Sequence, residues 1–273
     1  MDRDSQLNSS VAPHESLRDE AERILAAAEA NGVTLRLIGG MAVNIRCPSA
    51  SRPPLSRRYV DVDVVGHRSE TRKINKLFTD LGYKPRERFN ALHGTRLIFN
   101  DLKNQRRIDV FLDVLEMCHK FNFKDRLRLE EMTLPISDLL CTKLQIVEIN
   151  EKDMKDVCAM LLDHDVSSEE VDGRIDATYI AKLCANDWGI YKTFSTNLAR
   201  IPEYLDRLGL DGNQRKTVTE RAEALKNTIE SMPKSMGWKM RATVGERRRW
   251  YELPEADQEV VHAGFQIGES PGV

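Results

Sequence analysis

LRLIGGMAVNIRCPSASRPPLSRRYVDVDVV, residues 35–65, decides how this chain is read. An apolar run ends in Gly39-Gly40, a loop rich in Pro and Arg follows, and a second apolar run carries Asp61 and Asp63. Side chains two apart on a strand point the same way, so a strand over 60–65 is expected to show both carboxylates on one face. Two adjacent carboxylates among valines repel each other and lose hydration, and a divalent cation offsets both costs. The Gly-Gly pair predicts a tight turn into a short helix over 41–46. Its first amides would meet phosphate oxygens with no side chain in the way.

Upstream, Leu17, Ala21, Ile24, Leu25 and Ala28 recur with helical spacing over 16–30, and Asn31-Gly32 is a stop signal. A short strand is then expected over 33–38. Downstream, Ile74, Leu77, Phe78 and Leu81 mark an amphipathic helix over 69–81. Apolar runs at 95–99 and 107–112, separated by turn-forming residues, predict a hairpin. Its second strand carries Asp109. Three carboxylates from two neighbouring strands, Asp61, Asp63 and Asp109, could hold two Mg²⁺ ions, hard cations that prefer oxygen. On residues alone the alternative stays open that these aspartates meet arginine or solvent at a strand end.

The pattern changes after about residue 123. A helix start at Pro135 leads into a Leu139, Leu140, Leu144, Val147 stripe, Asn150 can cap the next helix, and 178–208 and 215–232 stay helical. The fold class expected is α+β, a mixed β-sheet flanked by helices with a C-terminal helical domain. The expected division is 16–125 and 126–263, between tails at 1–15 and 264–273 that look disordered. Among 273 residues, 41% are hydrophobic and 31% charged, with a net charge of −2, so no global field draws the chain to a polyanion or membrane. No apolar run is long enough to span a bilayer, and five dispersed cysteines without a CxxC pair suit a reducing, cytoplasmic setting. Cys118 and His119 read as packing residues.

Gly39-Gly40, Arg57 four residues before Asp61, then Asp61-Val62-Asp63 and Asp109, together resemble the nucleotidyltransferase (polymerase-beta-like) superfamily. Asp138-Leu-Leu-Cys-Thr-Lys143-Leu followed by Lys152-Asp153-Met-Lys-Asp156 is similar to the AbiEii-type toxins, the nucleotidyltransferase component of type IV toxin–antitoxin systems. The resemblance covers residues 35–162 and says nothing of the last third. It implies a minimal nucleotidyltransferase fold, an NTP donor and Mg²⁺. Asp61, Asp63 and Asp109 would be metal ligands, with Asp109 also the base for the acceptor hydroxyl. Gly39, Gly40 and Arg57 would hold the triphosphate, Lys143 would neutralise phosphate charge, and Asp153 would position Lys143 or the acceptor. The family's frequent Gly-Ser is Gly-Gly here, which removes one hydroxyl.

The implied activity moves an NMP from an NTP to a hydroxyl, on a tRNA 3′ end or a protein side chain, with a partner antitoxin restraining it. A small-molecule nucleotidyltransferase acting on an aminoglycoside or lincosamide, and a DxD metal-dependent glycosyltransferase, are the alternatives. By pattern alone Lys143 reads as a solvated-face lysine, and Asp153 and Asp156 as first-turn acids favoured by the helix dipole. The segment 239–251 joins Trp250 and Tyr251 to several arginines, which suits either nucleic-acid contact or tryptophans packed on the core, and packing is favoured. His67 follows the DxD strand without an evident partner.

Overall fold

The computed structural model describes residues 13–253. The expected tail 264–273 lies outside the described residues, as does 1–15 apart from its last three positions. Helix α1 (Leu17–Ala30) is capped by Ser16, whose side chain accepts from the Asp19 amide, and leads to strand β1 (Leu35–Ile38). Helix α2 (Gly39–Arg46) follows without a break, so the Gly-Gly pair is the first turn of the helix and not a turn ahead of it. Strand β2 (Val62–Gly66), helix α3 (Thr71–Asp80), strand β3 (Lys84–Pro85), helix α4 (Glu87–Leu92) and the hairpin β4 (Arg96–Asp101) and β5 (Arg106–Leu112) complete this half.

The sheet order is β1-β2-β5-β4-β3, with β2 and β5 parallel and the other neighbours antiparallel. Its period of two divides the strands cleanly. Leu35, Leu37, Val62, Val64, Ile108, Val110, Leu97 and Phe99 share one face and are almost wholly buried, with α1 and α3 helping to enclose this part of the core. Phe78 of α3 stacks on Phe99 at 4.6 Å between ring centroids, and Tyr83 meets Phe78 edge-on at 5.5 Å. The opposite face carries Asp63 and Asp109. The apolar layer therefore holds the strands in register, and that register fixes which charged groups become neighbours.

A second hairpin, β6 (Val114–Glu116) and β7 (Lys120–Asn122), lies ahead of the helical half and was not expected. Helices α5 (Ile136–Leu144) and α6 (Glu151–Asp163) pack against α2, and Asn150 caps α6 as expected, accepting from the Asp153 amide. A short pair, β8 (Val166–Ser167) and β9 (Ile175–Asp176), precedes α7 (Ala177–Asn186), α8 (Trp188–Leu208), α9 (Gly212–Ser231) and α10 (Met236–Val244). The expected helix over 178–208 is two helices, because the Asp187 carboxylate accepts from the Gly189 and Ile190 amides at 2.7 and 3.0 Å and starts α8 afresh. α5 also stops before Val147, where Gln145 turns inward to accept from the His119 amide. The mixed α+β class holds, a sheet flanked by helices and followed by a helical half.

Candidate active site

Asp63 and Asp109 are direct partners across the parallel β2–β5 ladder and stand side by side on the polar face. Asp61 lies one residue before β2, whose ladder with β5 starts at Val62, and Val60 ahead of it is exposed. The expected strand over 60–65 is thus shorter by two at its start. Asp61 still acts on Asp63 through space. Burial, then the charge of Asp61, then that of Asp109 lift the Asp63 carboxyl to about 7, against the opposing pull of Lys143 and Arg107.

Gly39 sits directly beneath Asp63. Its φ of 68° lies in the left-handed region, and a Cβ there would overlap the Asp63 carboxylate oxygen Oδ2. Gly40 is constrained by the loop instead: a Cβ would overlap the Arg57 guanidinium and fall 2.9 Å from the Tyr59 ring. The two glycines therefore seat Asp63 and Arg57 against the start of α2. The cap residue Ile38 makes no side-chain hydrogen bond to the first amides of that helix.

Arg57 continues into a buried ionic network. It donates Nε to Asp156 Oδ1 at 2.8 Å and Nη2 to Asp156 Oδ2 at 2.7 Å, and its guanidinium lies 4.1 Å from the Tyr59 ring centre. Lys143 joins the same carboxylate at 2.9 Å and Asp153 at 2.9 Å. Lys143 is only 7% exposed, so its reading as a solvated-face lysine is corrected: two carboxylates draw it inward. Burial alone pulls the Lys143 ammonium down, but Asp156 and Asp153 outweigh it and hold the group protonated above its ordinary range. The Arg57 balance is the same, with Asp156 overcoming burial. Asp156, a first-turn acid by sequence, is the hub of this network. Its spacing of three from Asp153 was the available signal.

Asp109 behaves differently from the expected open ligand. It is 1% exposed, and Arg96 donates Nη2 and Nε to its Oδ1 at 2.8 and 3.0 Å while Arg107 donates Nε to Oδ2 at 2.7 Å. Both oxygens are thus occupied by guanidinium groups. Among the described residues no set of three or more His, Cys, Asp or Glu side chains is arranged to hold a metal ion, so the expected three-carboxylate cluster is not formed in this arrangement. The alternative of aspartate meeting arginine applies to Asp109. Neither arginine was foreseen, although Arg107 stands two residues from Asp109 on the same face and Arg96 is opposite Phe111. The fit to a cation rests on Asp61 and Asp63, an acidic pair with an excess of negative charge beside a helix start.

The loop over 47–59 is not a free arm. Cys47, Ala50 and Leu55 are buried, and Arg46 pairs with Glu130 and Asp172, leaving Arg52 and Arg58 exposed. His67 has a partner after all, Asp113, which lies four residues beyond Asp109 and 3.1 Å away.

No family model matches the chain, and no curated protein matches it. Solved structures similar to it include the following two. The antibiotic-resistance factor ANT(2'')-Ia is 12% identical, with a TM-score of 0.37 over 67% of this chain and 92% of its own. An antigenic nucleotidyltransferase-like protein from Paracoccidioides brasiliensis is 12% identical, with a TM-score of 0.41 over 83% of this chain and 97% of its own. At that identity and those TM-scores, neither likeness assigns a residue or a substrate to this chain.

Proposed function

We propose that this chain is a nucleotidyltransferase that moves an NMP from an NTP to a hydroxyl acceptor. The observation that carries the reading is the seating of Asp63 on Gly39, with Asp61 before it and Asp109 beside it across the ladder. Carboxylates in mutual repulsion stand next to uncapped helix amides, a pairing of cation demand and phosphate affinity.

In this reading Asp61 and Asp63 hold a divalent ion, Mg²⁺, which would draw charge from phosphate oxygens and make an acceptor hydroxyl more acidic. The Gly39 and Gly40 amides meet the triphosphate. Arg57 and Lys143, fixed by Asp156 and Asp153, present positive charge from the helical side. The acceptor oxygen forms a bond to the α-phosphorus as the bridge to the β-phosphate breaks, and pyrophosphate leaves with the electron pair. The hydroxyl proton passes to a carboxylate, and Asp109 is the candidate once the half-exposed Arg107 exchanges it for a phosphate oxygen. Positioning and charge compensation supply most of the catalysis in such a site.

The finer reading is an AbiEii-like toxin acting on a tRNA 3′ end or a protein side chain, with an antitoxin as its partner. The motif around Lys143, Asp153 and Asp156 supports it. Incubation with each α-labelled NTP, Mg²⁺ and separate pools of tRNA, protein and aminoglycoside tests both levels. Label on RNA or protein that disappears in Asp63→Asn supports the toxin reading, and label on the drug alone replaces it with the small-molecule one. No transfer to any pool removes the enzyme reading.

A further inference from the structure

The tryptophans of the C-terminal segment pack inward, as favoured from the sequence. Trp250 donates Nε1 to Thr193 Oγ1 at 3.1 Å and meets Trp188 edge-on at 6.0 Å, and Trp238 meets Tyr191 at 5.1 Å. Their packing does not close the surface. A cavity of about 470 Å³ remains between the start of α8, α10 and residues 248–252, within the roughly 300–1,000 Å³ range of small-ligand sites. Trp188, Trp238 and Trp250 line it, together with Arg241, Arg248 and Arg249.

The cavity is built, not a gap left by a frayed end. The Glu252 amide donates to the Cys118 carbonyl at 3.0 Å, and a Cβ on Gly189 would come within 2.6 Å of the Trp250 carbonyl oxygen, so only glycine lets this segment close over α8. Arg241 ties the rim, donating to the carbonyls of Gly245 and Arg248 at 2.7 Å each and lying 4.7 Å from the Trp188 ring centre. Two features are left over. The indole N–H of Trp238 is enclosed without a hydrogen-bond acceptor. Among the described residues, the exposed Arg248 and Arg249 form no ion pair with a carboxylate; of the two carboxylates in the same wall, Asp187 is spent on capping α8 and Glu252 is the other.

We propose that this aromatic–arginine cavity binds a segment of single-stranded polynucleotide, separately from the Asp61–Asp63 site. Unpaired bases offer flat faces to the indole rings, and phosphates meet Arg248 and Arg249. A duplex keeps its bases stacked and presents no edge small enough to enter. The site holds with or without the transferase reading, since neither arginine belongs to that machinery.

Fluorescence anisotropy with a labelled unstructured oligonucleotide of about twelve nucleotides tests it on the full chain. Single-stranded RNA, single-stranded DNA and a duplex of the same sequence form the three arms, and a preference between the first two identifies the source. Arg248→Gln/Arg249→Gln is expected to weaken single-strand binding at least tenfold and to lower the slope of log K against log salt by about 1.4, at about 0.7 per phosphate contact. A control that removes two charges elsewhere, Lys216→Gln/Lys226→Gln on α9, should leave affinity within twofold. NTP affinity should be unchanged in both. Absence of single-strand binding at low salt, equal loss in the control, an unaffected arginine variant, or tighter binding of the duplex would overturn the proposal.

Discussion

Arg57 and Asp156 form a bidentate pair between a loop after α2 and the first turns of α6, 99 residues apart in the chain. The same Asp156 carboxylate also receives Lys143, which it shares with Asp153, so one anion bridges two cations with little access to water. Replacing it leaves both cations underpaired, and breaking a buried pair from one side costs about 3–5 kcal/mol. Asp156→Asn is therefore expected to lose stability in that range. Arg57→Ala should lose clearly less, because Asp156 keeps Lys143. Urea unfolding of both variants and of the double mutant gives the coupling, and additive losses would show that the pair is not energetically connected.

Gly39 and Gly32 both hold positive φ, at 68° and 59°, but only Gly39 faces a neighbour. Gly32→Ala should cost about 1 kcal/mol through backbone strain and leave NTP affinity intact. Gly39→Ala should cost more and weaken NTP binding at least tenfold, because the new methyl displaces the Asp63 carboxylate. Parallel unfolding and nucleotide titrations check the contrast. Equal NTP affinity in the two variants would detach Gly39 from the site.

The Asp63 carboxyl is held up near 7 by burial and by the charges of Asp61 and Asp109. Its pKa is higher folded than unfolded, so the folded state keeps a proton that the unfolded chain releases, and ionisation between about pH 4 and 7 destabilises the fold. In the presence of EDTA, Asp63→Asn should raise the melting temperature at pH 8 and raise it much less at pH 5. Scanning calorimetry at the two pH values reads this directly, and an equal or lower melting temperature at pH 8 would contradict it.

His119 runs in the opposite direction. Burial pulls its imidazole down to about 4, although Asp187 pulls upward, and Thr193 lies 2.8 Å from Nε2. Below its ordinary value near 6.5 the unfolded chain takes a proton that the folded state refuses, so stability falls as pH drops from about 6.5 to 4, by up to about 3 kcal/mol. His119→Gln should flatten that part of the pH–stability curve without altering NTP affinity. An unchanged slope would place the titrating group elsewhere.

Local signals carried the parts of the site that were legible in the sequence. A Gly-Gly pair after an apolar run, an aspartate among valines, and a further aspartate on the second strand of the expected hairpin placed Gly39, Asp63 and Asp109 where the sheet brings them together. What escaped depends on partners distant in sequence. Lys143 looks solvated until Asp153 and Asp156 of the next helix fold against it, and Asp109 looks free until Arg96 arrives from the neighbouring strand. Asp61 falls outside β2, whose pairing with β5 begins at Val62 opposite Ile108 although β5 itself starts at Arg106. The Trp–Arg cavity needs three elements to meet, and no single stretch announces it.

The most direct measurement is calorimetric titration of each NTP into the full chain, with Mg²⁺ and again with EDTA. At least one NTP should bind with an affinity that Mg²⁺ raises tenfold or more, and Asp61→Asn and Asp63→Asn should each abolish the increment. Arg248→Gln/Arg249→Gln should preserve it. NTP binding that is the same in EDTA, or that survives Asp63→Asn unchanged, would contradict the assignment of the Asp61–Asp63 pair to a cation-dependent nucleotide site.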